Sequence, residues 1–103
     1  MISFLTEYSV TMTGSWMTVN NEFSCDAEIS TNFDLDFWEL EIENIEFYLD
    51  DYFITSISQP PYSIEYSGLA ISKGSHKFIA YIYFKDLKSG KQYVVTKCID
   101  LGL

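Results

Sequence analysis

Hydrophobic and polar positions alternate with a period of two along most of this chain, which predicts strands rather than helices. Residues 21–30, NEFSCDAEIS, show it best: Phe23, Cys25, Ala27 and Ile29 fall on one side, Glu22, Ser24, Asp26 and Glu28 on the other. A strand written this way has one face on a core and the other in water. Residues 5–13, LTEYSVTMT, alternate more loosely and predict a first strand that stops at Gly14-Ser15. From Ile45 the pattern sharpens. Ile45, Phe47 and Leu49 alternate with Glu46 and Tyr48, and Asp50-Asp51 supplies a tight turn into YFITSIS at 52–58, giving a hairpin. Gln59-Pro60-Pro61 ends that strand, because proline cannot donate to a ladder. YSIEY at 62–66, HKFIAYIYF at 76–84 and QYVVTKCID at 92–100 complete the series, parted by turns at Lys73-Gly74-Ser75 and Lys88-Ser89-Gly90-Lys91.

One stretch breaks the rhythm. In FDLDFWELEIEN (33–44), Leu35 and Phe37 share one phase, Trp38, Leu40 and Ile42 the other, and the next strand returns to the first. A short helical turn or a bulged strand would each absorb the slip; an irregular strand is the expectation adopted. The total is seven or eight short antiparallel strands in 103 residues, with turn signals at roughly ten-residue spacing, as in an all-β sandwich or barrel. This length holds one core, so residues 1–103 are expected to form a single domain.

Composition supports a sheet protein. Apolar residues make up 48% of the chain and include eight Phe, eight Tyr and two Trp, types that fit a pleated, half-buried surface. Charge narrows the partners. The formal net charge is −9, from fifteen acids against six lysines and no arginine. A phosphate-tracking groove needs Lys and Arg, so direct nucleic-acid binding is not expected. All six lysines lie at or beyond Lys73, while residues 1–72 carry thirteen acids and no base. An acidic pole is therefore expected, which serves solubility or steers the domain toward a basic partner. No apolar run reaches the length of a membrane span. The opening MISFLTEYSV lacks the basic region of a secretory signal. The chain as written is expected in the cytoplasm, or outside the cell or on a virion if it is a fragment or a phage structural protein.

Three segments resemble bacterial immunoglobulin-like domains of extracellular glycoside hydrolases, adhesins and phage structural proteins. IEFYLDD (45–51) is similar to that family's Phe-Tyr-Val-Asp-Gly strand, PPYSIEY (60–66) to its Ala-Pro-Tyr-Ser segment, and GSHKFIAYIYF (74–84) to its Gly-Ser-His strand with Ala at the centre. Asp51 stands where the family has Gly, and KDLKSGK (85–91) replaces a shorter turn. The resemblance implies an immunoglobulin-like β-sandwich, a role as spacer, accessory module or adhesive surface, and a structural place for His76 at a strand start. It brings no catalytic residues.

Candidate chemistry is sparse. His76 is the single histidine, and no serine or cysteine motif frames it for nucleophilic catalysis. Cys25 and Cys98 have no metal-ligand spacing and are expected as buried free thiols. No cofactor and no enzymatic activity are expected. The carboxylates Asp34, Asp36, Glu39, Glu41, Glu43, Glu46, Asp50 and Asp51 admit a solvated edge, a calcium site or mimicry of phosphate spacing. If Phe47, Phe78, Ala80 and Ile82 face the core, Tyr48, Ile79, Tyr81 and Tyr83 face outward, with Tyr93 and Val94 beside them. Such a tyrosine cluster is a recognition surface or is covered by a loop, the N-terminal segment or a second copy.

The expected function is therefore protein recognition through Tyr48, Tyr81, Tyr83 and Tyr93 with Glu39, Glu41, Glu43, Glu46, Asp50 and Asp51 as the acidic component. The aromatic face also leaves a homo-oligomer open. Two other readings stand beside it: a phage-encoded acidic inhibitor filling the nucleic-acid groove of a host defence nuclease, and a carbohydrate-binding or adhesive accessory module.

Overall fold

Inward positions spaced two apart set the layers. The computed structural model describes residues 4–103. Seven strands form: β1 (Val10–Val19), β2 (Glu22–Thr31), β3 (Leu40–Leu49), β4 (Tyr52–Ile57), β5 (Ser63–Ala70), β6 (Ser75–Asp86) and β7 (Gln92–Gly102). One helical turn, α1 (Leu35–Trp38), lies between β2 and β3. All pairings are antiparallel, in a three-stranded sheet ordered β1-β2-β5 and a four-stranded sheet ordered β4-β3-β6-β7. Strands that cross between two packed sheets in this order make an immunoglobulin-like sandwich.

The core follows the alternation. Phe23, Cys25, Ala27 and Ile29 of β2 are buried, as are Ile45, Phe47 and Leu49 of β3 and Phe78, Ala80, Ile82 and Phe84 of β6. Phe78 joins the layers: its ring lies 6.3 Å from Phe23 of the small sheet and 5.9 Å from Phe47 of the large one. Truncating a buried aromatic of this kind costs about 3–5 kcal/mol.

Two expected boundaries move. β1 begins at Val10, because residues 7–9 form a 3-10 turn closed by a capping box between Thr6 and Ser9. It then runs through Gly14-Ser15 to Val19. Gly14 (φ +151°) lets the two backbones close up, and the hairpin turn falls instead at Asn20-Asn21, both with positive φ (55° and 62°). That is the sign pattern of a type I′ turn, for which Asn is suited. The irregular strand expected at 33–44 is also corrected. Asp34 caps α1 by accepting from the Asp36 and Phe37 N–H groups (3.0 and 3.4 Å), and Glu39 ends it in the left-handed region (φ 51°). A bulge between Ile42 and Asn44 then sets the phase of β3. The chain thus uses both devices that could absorb the slip.

Candidate functional site

The outer face of the four-stranded sheet collects the tyrosines. Tyr48 of β3 is in register with Ile79 of β6, and Glu46 with Tyr81. With Phe47, Phe78, Ala80 and Ile82 fully buried, Tyr48, Tyr81 and Tyr83 are turned outward, where they are half-buried against one another. The Tyr48 and Tyr81 rings meet edge to face at 5.4 Å and 82°, and Phe53 of β4 packs on Tyr48 at 5.5 Å. The Tyr83 hydroxyl donates to Glu46 Oε1 at 2.8 Å. That bond to a carboxylate, followed by partial burial, holds the Tyr83 phenol above its ordinary pKa. Phe53 and Val94 extend the face with about half of their surface exposed.

Tyr93 is not part of this face. It pairs with Phe84, two residues before the buried Val95, and packs against the core; Val94, opposite Tyr83, takes the outer position. The acids form no single pole either. They are strung along β3, whose ten residues span about 33 Å. Glu39 lies at one end, 3.6 Å from Lys88. Glu41 is in register with Lys85 on the outer face. Glu43 is the bulged residue and accepts from Gln92 Nε2 at 3.1 Å. Glu46 stands among the tyrosines, and Asp50 and Asp51 form the turn at the far end.

Asp50 has a further task. Its Oδ2 lies 2.6 Å from His76 Nδ1, its Oδ1 accepts from the Lys77 N–H at 2.9 Å, and His76 Nε2 is 2.8 Å from the Ser72 carbonyl. Both ring nitrogens face acceptors, an arrangement that suits the doubly protonated ring. The Asp50 bond first, then the Ser72 carbonyl, raise the His76 pKa, and the same His76 bond lowers that of Asp50. The clasp ties the β5–β6 loop to the β3–β4 turn, placing His76 in a structural position at the start of β6. With both nitrogens engaged, the ring has none free to serve as a general base toward a bound molecule.

The cysteines sit apart. Cys25 is buried in β2, where burial first and Asp26 second push its thiol up to about 11. Cys98 of β7 is exposed, which corrects the expectation that both thiols are buried.

A second exposed feature was not anticipated. Phe84, fully buried, touches Phe33 (5.9 Å), Phe33 touches Phe4 (5.3 Å), Phe4 touches Trp38 (4.4 Å), and Trp38 touches Phe37 (5.3 Å). This ladder of rings climbs from the core to Phe37, which is 75% exposed at the tip of α1. Leu87, also exposed, donates its N–H to the Glu39 carbonyl beside it. The one available signal was Asp34 ahead of an apolar cluster, a helix-capping pattern.

No family model and no curated protein matches this chain. Among solved structures it is similar to one of the Clostridium thermocellum CbhA fibronectin(III)-like modules, at 17% identity and a TM-score of 0.40. The likeness covers 87% of this chain and 47% of that one, so the chain spans about half the length of the structure it matches.

Proposed function

We propose that this domain is a non-catalytic protein-recognition module whose contact surface is the outer face of the four-stranded sheet. The observation that carries the reading is the locked set of Tyr48, Tyr81 and Phe53, held edge to face on the outer side of the sheet, where Phe53 and Val94 are about half exposed. Rings fixed before binding lose little entropy on binding, and tyrosine offers wide contact area with a polar tip. Carboxylates at Glu46 and Asp51 beside them favour a partner with a basic surface. The motif likeness to bacterial immunoglobulin-like domains, which serve as accessory and adhesive modules, supports the same class of function. The near-perpendicular rings give no flat platform for a sugar ring, which favours a protein over a glycan.

The exposed ladder tip supports a second reading, in which Phe37, Trp38 and Leu87 are the anchors. One experiment separates the two. Wild type, Tyr48→Ser with Tyr81→Ser, and Phe37→Ser with Trp38→Ser are immobilised side by side in source-cell lysate, and retained proteins are identified by mass spectrometry. A protein kept by wild type and the tip variant but lost by the tyrosine variant supports the sheet face. The reverse pattern moves the interface to the loop end. A nuclease as the retained protein would favour the inhibitor reading of the acidic surface, and equal retention by all three overturns both surfaces.

A further inference from the structure

The outer sheet face carries an acidic hollow beside its tyrosines. Glu46, Tyr48, Asp50, Asp51, Tyr81 and Tyr83 line an open cavity of about 350 Å³ between β3, its turn and β6. No lysine nitrogen among the described residues lies within 4.0 Å of its carboxylates. Among the described residues the ion pairs within 4.0 Å are His76 with Asp50 and Lys88 with Glu39. Asp50 is already committed through both oxygens, to His76 and to the Lys77 N–H. Glu46 gives one oxygen to the Tyr83 hydroxyl, a bond that also fixes which way its carboxylate points. Beside it the Tyr48 and Tyr81 rings, at 82° to one another, form a corner.

Each kind of occupant can be weighed by its chemistry. An anion would be repelled by the carboxylates and by the negative faces of the rings. An apolar side chain would strip water from Glu46 and leave its charge without a partner, which is costly. A cation meets both needs: the ring faces attract it and the carboxylate pairs with it.

We propose that this cavity receives the cationic head of a lysine or arginine side chain presented by the partner protein, with Tyr48 and Tyr81 as its walls and Glu46 as its counter-charge. The inference rests on the sheet-face reading and adds the chemistry of the residue recognised there. It also explains the placement of an acid on the outer face among tyrosines, since neither the core nor the strand pairing requires one at that position.

The test uses the whole chain and short probes. The tyrosine ring signals are followed by NMR while the protein is titrated with Ac-Gly-Lys-Gly-NH2, Ac-Gly-Arg-Gly-NH2, the norleucine analogue, and sodium chloride alone. The expected result is saturable shifts of Tyr48, Tyr81 and Tyr83 with at least one basic peptide and none with norleucine; which peptide binds tells lysine from arginine. Glu46→Gln keeps an acceptor for Tyr83, so it should leave the thermal midpoint in place while weakening the peptide about tenfold. Shifts that fail to saturate up to the solubility limit, that follow salt alone, or that are unchanged by Glu46→Gln overturn the cation site. Binding of norleucine at the same rings overturns it too, yet preserves the sheet face as an interface. Loss of the sheet face itself is read separately, from the immobilised tyrosine variant.

Discussion

Gly14 shows how a single residue decides the shape of a strand. A Cβ at this position would stand 1.8 Å from the Asp26 carbonyl oxygen, and φ of +151° is a conformation that side chains with a Cβ rarely adopt. Gly14→Ala should therefore cost about 3 kcal/mol through clash and backbone strain together. A urea melt reads it, and an unchanged midpoint would mean β1 and β2 can separate there without loss. The His76 clasp is decided by single atoms as well, and its sign with pH follows from the two shifts. Unfolded, Asp50 titrates near 3.8 and His76 near 6.5. A histidine raised in the fold contributes stability that is complete below its unfolded value and lost as pH rises through its folded one. A depressed carboxylate contributes stability complete above its unfolded value and lost as pH falls through its folded one. The clasp is thus at full strength between 3.8 and 6.5. The difference in thermal midpoint between wild type and His76→Ala should be largest in that window and shrink on both sides. A difference flat with pH would show that His76 acts through packing alone.

Among the elements, α1 is the one that needs outside support. Four residues cannot hold a helix by their own hydrogen bonds; Asp34 and Glu39 cap it, and the ring ladder fastens it to the core. Asp34→Ala should cost about 1 kcal/mol and Phe33→Ala about 3 kcal/mol. Phe37→Ser, at the exposed tip, should stay within about 0.5 kcal/mol. Chemical denaturation of the three variants checks the gradient, and a large loss at Phe37 would show that the tip is covered in solution. Alternation located β2 and the first strand of the hairpin at Asp50-Asp51, because each has one mainly apolar phase. In β6 both phases carry apolar residues, and the burial of Phe78, Ala80 and Ile82 bears out an orientation that the pattern leaves conditional. Alternation failed at the start of β7, where successive positions are all apolar. Tyr93, Val94 and Val95 give no parity to read, so only the register with Phe84 reveals that Tyr93 turns inward. The slip at 33–44 had two physical solutions, and nothing local showed that the chain would spend one on α1 and the other at Glu43. Gly14 looked like a stop because glycine weakens strands, yet here it permits a close approach. Tyr48, Tyr81 and Tyr83 were legible as a face, whereas the pairing of Asp50 with His76, 26 residues away, is a product of folding that no local pattern carries.

For the whole molecule the governing quantity is unbalanced charge. Fifteen carboxylates face six lysines, and only Asp50 and Glu39 have a cationic side chain within pairing distance among the described residues. Several of the rest lie on both outer surfaces: Asp26 and Glu65 sit directly opposite one another on the small sheet, and Glu41 and Glu46 share the outer side of the large one. Like charges opposed across strands destabilise the sheet, and an excess of one sign strains the compact state. Salt shortens the reach of that repulsion from about 30 Å at 0.01 M to about 3 Å at 1 M. Raising salt should therefore stabilise the fold, by about 1 kcal/mol, or ~4–8 °C in thermal midpoint. The loss from screening two ion pairs is smaller, because exposed pairs contribute little. The same salt should weaken attachment to a basic partner, since carboxylates left uncompensated in the free domain are what that partner would neutralise. Stability and affinity are thus expected to move in opposite directions along one salt series, measured by thermal melts and by retention of the sheet-face partner. Affinity that rises with salt would mean the tyrosines bind through apolar burial alone, with the acids serving only to keep the domain soluble.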